Sequence, residues 1–141
     1  MEEKQIPVSP ATPDEVYLSE EEYRKLPPLT DATPQELAHE IARVLDAKRG
    51  GDIKILRVED RTVIADYFVL CTANSGTHIK SLTDEVEYRL NLRGVPVHHV
   101  EGRDNNSWVI ADYLSVLVHV FSREAREFYH LDKLYGDAPE D

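Results

Sequence analysis

The 141 residues carry 27 Asp and Glu against 16 Lys and Arg, a formal charge of −11, and 41% of them are hydrophobic. This length predicts one domain with a real core and leaves no room for two. No apolar run approaches the twenty residues of a membrane span, and the acidic total argues against direct binding to DNA and leaves RNA at most a peripheral contact.

Residues 1–33 hold eight acidic and three basic side chains, and residues 132–141 hold four and one. The excess sits at the two ends, so the nearly balanced middle suits docking on a basic protein. The start, MEEKQIPVSPATPDEV, lacks the basic end and apolar stretch of a secretion signal and the Arg-rich character of a transit peptide, which predicts a cytoplasmic protein. Residues 1–32, with Pro7, Pro10, Pro13, Pro27 and Pro28, read as an acidic, largely mobile leader. Within it Val16, Tyr17, Leu18, Tyr23 and Leu26 fit one short amphipathic helix.

The ordered domain is expected over residues 33–136, followed by an acidic tail at 137–141. Thr33, Pro34 and Glu36 make a capping box with proline at the first helical position. Leu37, Ile41, Val44 and Leu45 then share a helical stripe that Gly50 and Gly51 stop. In IKILRVE, Ile53, Ile55 and Arg57 alternate with Lys54, Leu56 and Val58, which predicts a strand. YFVLCTA is continuously apolar and belongs in mid-sheet with both faces covered. Cys71 within it reads as a buried structural thiol, and as a lone cysteine it allows no internal disulfide.

TANSGTH (72–78) leaves that strand and opens a helix carrying Ile79, Leu82, Thr83, Val86 and Leu90, with Gly94 as its left-handed terminator. VPVHHVEG is a short strand; SWVIADY and SVLVHVF form an antiparallel hairpin. Ser122 caps a final helix, REAREFYHLDKLYG. The order αββαβββα predicts a single-domain α/β fold with a mixed five-stranded sheet flanked by helices.

TANSGTH has the position of a phosphate turn, but it lacks a P-loop lysine. The nearby acids Asp66, Glu101, Asp104 and Asp112 show no pair spaced to hold a metal against a triphosphate. Its simpler reading has Ser75 or Thr77 capping the helix, worth about 1 kcal/mol, while Gly76 relaxes the turn. His98 and His99 point to opposite strand faces, so they cannot share a metal, and His119 inside VLVHVF reads as a core histidine or a buried base facing Asp112 or Asp66. Trp108 is the only tryptophan, and such a residue serves equally as core filler or interface anchor. Alternation puts Trp108, Ile110 and Asp112 on one face and Val109, Ala111 and Tyr113 on the other. An acid beside an apolar patch suits a basic protein partner.

ADYFVLCTANSGTHIKSLTDEVE, then VEGRDNNSWVIADYLSVLVHVFSREAREFYHLDKLYGDAP, closely resembles the ribosomal silencing factor (RsfS, Iojap-related) family over residues 34–139. Tyr135 stands where the family commonly has tryptophan, and two asparagines replace its usual Gly-containing turn before Ser107. The resemblance implies a fold similar to nucleotidyltransferases without their catalytic carboxylates, and a translation repressor with no catalytic residue, cofactor or metal. It implies binding to large-subunit ribosomal protein fourteen, which blocks joining of the subunits. Organellar relatives imply a second role in large-subunit assembly, and the turn leaves nucleotide binding as a further alternative. The residues it implicates in docking are Trp108, Val109, Asp112 and Tyr113, with Val109 and Tyr113 exposed by a strand end or bulge, or some of the four acting indirectly. Arg103, Lys80 and His78 join them as expected polar rim contacts. A homodimer is compatible with all of this.

Overall fold

The computed structural model of the chain describes residues 18–104, 106–135 and 138–141. Helix α1 (Glu20–Arg24) starts at a capping box in which Ser19 and Glu22 bond reciprocally. Helix α2 (Pro34–Ala47) repeats that device with Thr33 and Glu36, as the sequence predicts. The left-handed residue that ends α2 is Arg49, at φ 66, rather than either glycine. Gly50 is there for space: a Cβ on it would stand 2.4 Å from Cys71 Sγ.

Strands β1 (Gly51–Arg57) and β2 (Tyr67–Ala73) pair antiparallel, with a bulge between Gly51 and Lys54. β1 therefore begins two residues earlier than alternation suggests and stops before Val58. Helix α3 (Gly76–Leu92) follows, capped by Ser75 and terminated at Gly94 with φ 86. Strands β3 (His99–Glu101), β4 (Trp108–Asp112) and β5 (Val116–Ser122) complete a sheet of order β1-β2-β5-β4-β3. β2 and β5 run parallel and the other pairs antiparallel, which is the expected mixed sheet. The predicted final helix is two: α4 (Arg123–Tyr129) and α5 (Leu131–Leu134), broken where His130 turns left-handed at φ 57.

Every residue of β2 is buried, because both faces of the sheet are covered there. On the first face Val69, Cys71, Val118 and Val120 meet Leu37, Ile41 and Leu45 of α2 and Ile79, Leu82 and Val86 of α3. On the second, Phe68, Leu70, Leu117 and Phe121 meet Ala125, Leu131 and Ala138. Arg126 ties this thinner layer down: its Nε and Nη2 donate to Asp132, and its Nη1 donates to Thr72 Oγ1 and the Asp52 carbonyl, all within 2.9 Å. That guanidinium holds the Asp132 carboxyl down to about 2. Residues 139–141 line the free edge of β1, with the N–H groups of Arg57 and Asp141 donating to Pro139 and Ile55 carbonyls.

The only described part of the expected leader that is helical, α1, is anchored by Tyr23, which is fully buried. Its hydroxyl donates to Glu40 at 2.7 Å, and the guanidinium carbons of Arg89 and Arg93 stand 5.1 and 5.4 Å from its ring centre. Val16 and Tyr17, also assigned to a leader helix, lie outside the described residues. Tyr23→Ala is expected to cost about 3–5 kcal/mol in urea unfolding, as large aromatic truncations do. Tyr23→Phe, which loses only the bond to Glu40, should cost about 1–2 kcal/mol.

Candidate functional site

Strand β4 divides its side chains between two environments. Val109 and Tyr113 point at the helices and are 4% and 5% exposed, while Trp108, Ile110 and Asp112 point at the second face and are half-buried. No strand end or bulge brings Val109 or Tyr113 to the surface, because the two-residue alternation runs unbroken beneath α3. Tyr113 is a core residue: its buried hydroxyl has no hydrogen-bond partner among the described residues, and burial, followed by Glu87, pushes its phenol up.

The other expected contacts also lie on the helix side. Arg103 grips Glu87 through two bonds of 2.7 Å, and Lys80 pairs with Asp84 at 3.0 Å. Together with Gly76, Thr83, Asn106 and Val109 they line a cleft of about 190 Å³. His78 serves the α2–β1 corner: its Nδ1 accepts the Asn74 N–H at 2.9 Å and its Nε2 donates to the Lys48 carbonyl at 3.0 Å. Both ring nitrogens are spent on backbone. Gly76 gives room rather than conformational freedom, since a Cβ on it would press within 3.0 Å of Asn106. So the seven residues divide, with Trp108 and Asp112 on one face and the other five on the opposite one.

On the second face the cover formed by α4, α5 and residues 138–140 stops at β5. β4 and β3 carry an open row made of Trp108, Ile110 and Asp112 and, in register with the last two, Glu101 and His99. Trp108 is held firmly. Its Nε1–H donates to His119 Nδ1 at 3.2 Å, and its ring lies 5.7 Å from Phe121 and 4.5 Å from Tyr129. Gly102, at φ 88, lets the β3–β4 connection cross its carbonyl, which a Cβ there would approach to 2.3 Å. Phe128 and Tyr129 extend the apolar surface beyond Trp108, at 75% and 51% exposed. The sequence pattern predicts one helix through 136 and does not single these two out, and the left-handed turn at His130 that ends the helix at Tyr129 has no local signal.

His119 is a buried core histidine whose Nδ1 accepts from Trp108. It sits against Phe68 with ring centres 4.9 Å apart, and Asp112 is occupied elsewhere, accepting the Leu114 N–H at 2.7 Å. Burial pushes its imidazole down to about 4, and its Nε2 has no partner among the described residues. Asp66 and Asp112 lie at the amino end of the parallel strands, about 20 Å from TANSGTH at 3.3 Å per residue. Among the described residues no three His, Cys, Asp or Glu side chains cluster so as to hold a metal ion. No described helix is long and apolar enough to cross a membrane.

Residues 31–141 match the family model described as "Ribosomal silencing factor during starvation". The chain belongs to the ribosomal silencing factor family. It is 39% identical over 98 residues to the ribosomal silencing factor RsfS of Bacillus subtilis, a match spanning 70% of this chain and 83% of that one. A mouse relative named "Mitochondrial assembly of ribosomal large subunit protein 1" is 28% identical over 98 residues, covering 67% of this chain and 43% of its own. A crystal structure of a Chromobacterium violaceum protein superposes with a TM-score of 0.71 at 28% identity, covering 74% of this chain and 87% of that one. The family match begins at residue 31, so α1 precedes it.

The buried imidazole makes a measurable link between the row and pH. His119 stays neutral in the fold down to about 4, whereas the unfolded chain takes up its proton near 6.5. Its contribution to stability is therefore complete above pH 6.5 and is lost as pH falls from about 6.5 to about 4. The loss is on the order of 3 kcal/mol across the window. His119→Gln, which keeps a neutral acceptor for Trp108, is expected to flatten urea-unfolding stability between pH 6.5 and 4.5 relative to the parent chain.

Proposed function

We propose that the protein is a cytoplasmic translation repressor that docks its open β4 row on large-subunit ribosomal protein fourteen and thereby keeps the subunits apart. The observation that carries this reading is the half-exposed Trp108 and Ile110 beside Glu101 and Asp112. An aromatic anchor with an acidic border is the surface a basic partner selects. Family membership supports the silencing role, and the resemblance in the WVIADY stretch supports the partner. Docking of this kind uses no chemistry, so the function needs neither cofactor nor catalytic residue. In this reading Val109 and Tyr113 act indirectly, by setting the strand that carries the row, and Lys80, Arg103 and His78 stay outside the contact.

The mouse relative's name supports a second reading, in which the same surface serves large-subunit assembly. Gradient sedimentation of cells lacking the protein separates the two. Precursor particles would mark assembly, and an unchanged subunit pool with excess translation in starvation would mark silencing. The nucleotide alternative has an equally direct check: ATP with magnesium should leave the melting temperature unchanged, and saturable stabilisation would revive it.

Trp108→Ala and Ile110→Lys are each expected to weaken binding to ribosomal protein fourteen at least tenfold, and to restore joined ribosomes in a gradient where the parent chain holds the subunits apart. Unchanged capture with both substitutions, in chains whose circular dichroism is unaltered, would sink the site.

A further inference from the structure

Three of the most exposed apolar side chains of the described residues gather at one end of the sheet. Leu114 is 62% exposed, Ile64 59%, and Val63 stands wholly in solvent. The two loops that carry them are joined, since the N–H groups of Asp66 and Tyr67 both donate to the Ser115 carbonyl, at 2.8 and 3.1 Å. Leu114 lies two residues past Asp112, in the turn that follows the end of the β4 row.

The backbone at Leu114 is the unusual part. Its φ is 72, in the left-handed region where a Cβ crowds the following carbonyl. The conformation is enforced by the Asp112 carboxylate, which accepts the Leu114 N–H, and by the turn bonds Ser115 N–H to Tyr113 O and Tyr113 N–H to Val116 O, each 2.9 Å. Glycine would make the same turn without strain. A leucine there is costly to the backbone, and its side chain recovers little by packing, being mostly exposed. Loops 59–66 and 112–115 also carry Glu59, Asp60, Asp66 and Asp112 against the one base Arg61. The two loops that carry the apolar tip thus hold a surplus of negative charge.

We infer that Leu114, backed by Val63 and Ile64, is an apolar prong that enters a hollow on a basic protein, with Asp112 as the residue that positions it. The occupant follows from the acidic surplus of the two loops, which complements a basic surface, and from their place next to the β4 row; the inference rests on the docking reading above. It assigns the Asp112 carboxylate a task inside the chain, holding the prong upright.

The test uses the full chain titrated calorimetrically into purified ribosomal protein fourteen, with melting temperatures in parallel. Leu114→Gly is expected to raise the melting temperature by about 3 °C through relief of strain while weakening binding about tenfold or more, the loss typical of an interface anchor. Val63→Ser with Ile64→Ser should weaken binding without altering the turn. Asp112→Ala should weaken binding more in the parent chain than in the Leu114→Gly chain, where only its share of the acidic border is lost, as coupled residues do. Leu114→Gly with parent-like affinity, while Trp108→Ala binds weakly, would overturn the prong and leave the docking row intact. Parent-like affinity for both Leu114→Gly and Trp108→Ala would bring down the docking reading and the prong with it. A lowered melting temperature for Leu114→Gly would show that the side chain packs within the fold, which also overturns the inference. An equal extra loss from Asp112→Ala in both chains would detach Asp112 from the prong.

Discussion

The parallel pairing of β2 with β5 is the constraint on which the rest of the molecule depends. Parallel neighbours cannot be joined by a hairpin, so the chain must leave the sheet and return. Here it returns only after α3, β3 and β4. The paired strands are buried on both faces, and all of β2 and nearly all of β5 is dry. Each fully buried Val, Leu or Phe in that pair adds about 1.5–3 kcal/mol, and that gain holds only while layers cover both sides.

The two layers are unequal, and the inequality makes the candidate site. α2 and α3, of 14 and 17 residues, cover the first face across to β4. Among the described residues the second face is covered by α4 and α5, of 7 and 4 residues, with residues 138–140 beside them. Helices so short are not stable alone, and the Arg126 bonds to Asp132, Thr72 and the Asp52 carbonyl hold them against β1 and β2. That staple pulls the cover toward one side of the sheet. β4 and β3 are left with an uncovered face, and Trp108 sits at the boundary, backed by Phe121 and His119 and open toward Tyr129.

How much of this could be read from the sequence depends on whether the governing signal is local. The capping box Thr33–Glu36, the Ser75 cap, the apolar run of β2 and the stripe of α3 are each specified by neighbours in the chain, and they predict the elements and the mixed sheet correctly. The break at His130 is not local: the left-handed turn follows from where Arg126 must reach to meet Asp132 and Thr72. Gly50 looks like a helix stop but answers to Cys71, a contact between distant residues. The site was half visible. Alternation placed Trp108 with Ile110 and Asp112, yet resemblance grouped Trp108 and Asp112 with Val109 and Tyr113, and a motif in sequence cannot say which of its residues face solvent. Phe128 and Tyr129 went unseen because their exposure depends on the break at His130.

The same staple bears on where function can reside. In open α/β sheets a ligand site forms at the carboxyl ends of adjacent parallel strands whose following helices go to opposite faces. β2 and β5 meet that condition, being followed by α3 on the first face and α4 on the second. At the second-face side of that crevice Arg126 stands 8% exposed, with four of its five donors committed to Asp132, Thr72 and Asp52. On the first-face side Arg103 and Lys80 are neutralised by Glu87 and Asp84. These three cations are already paired within the chain, and freeing Arg126 would release α4 and α5 from the sheet. The second-face side of this crevice thus serves as a structural joint. In the proposed docking reading, recognition falls to the surface that the joint leaves bare, along β4.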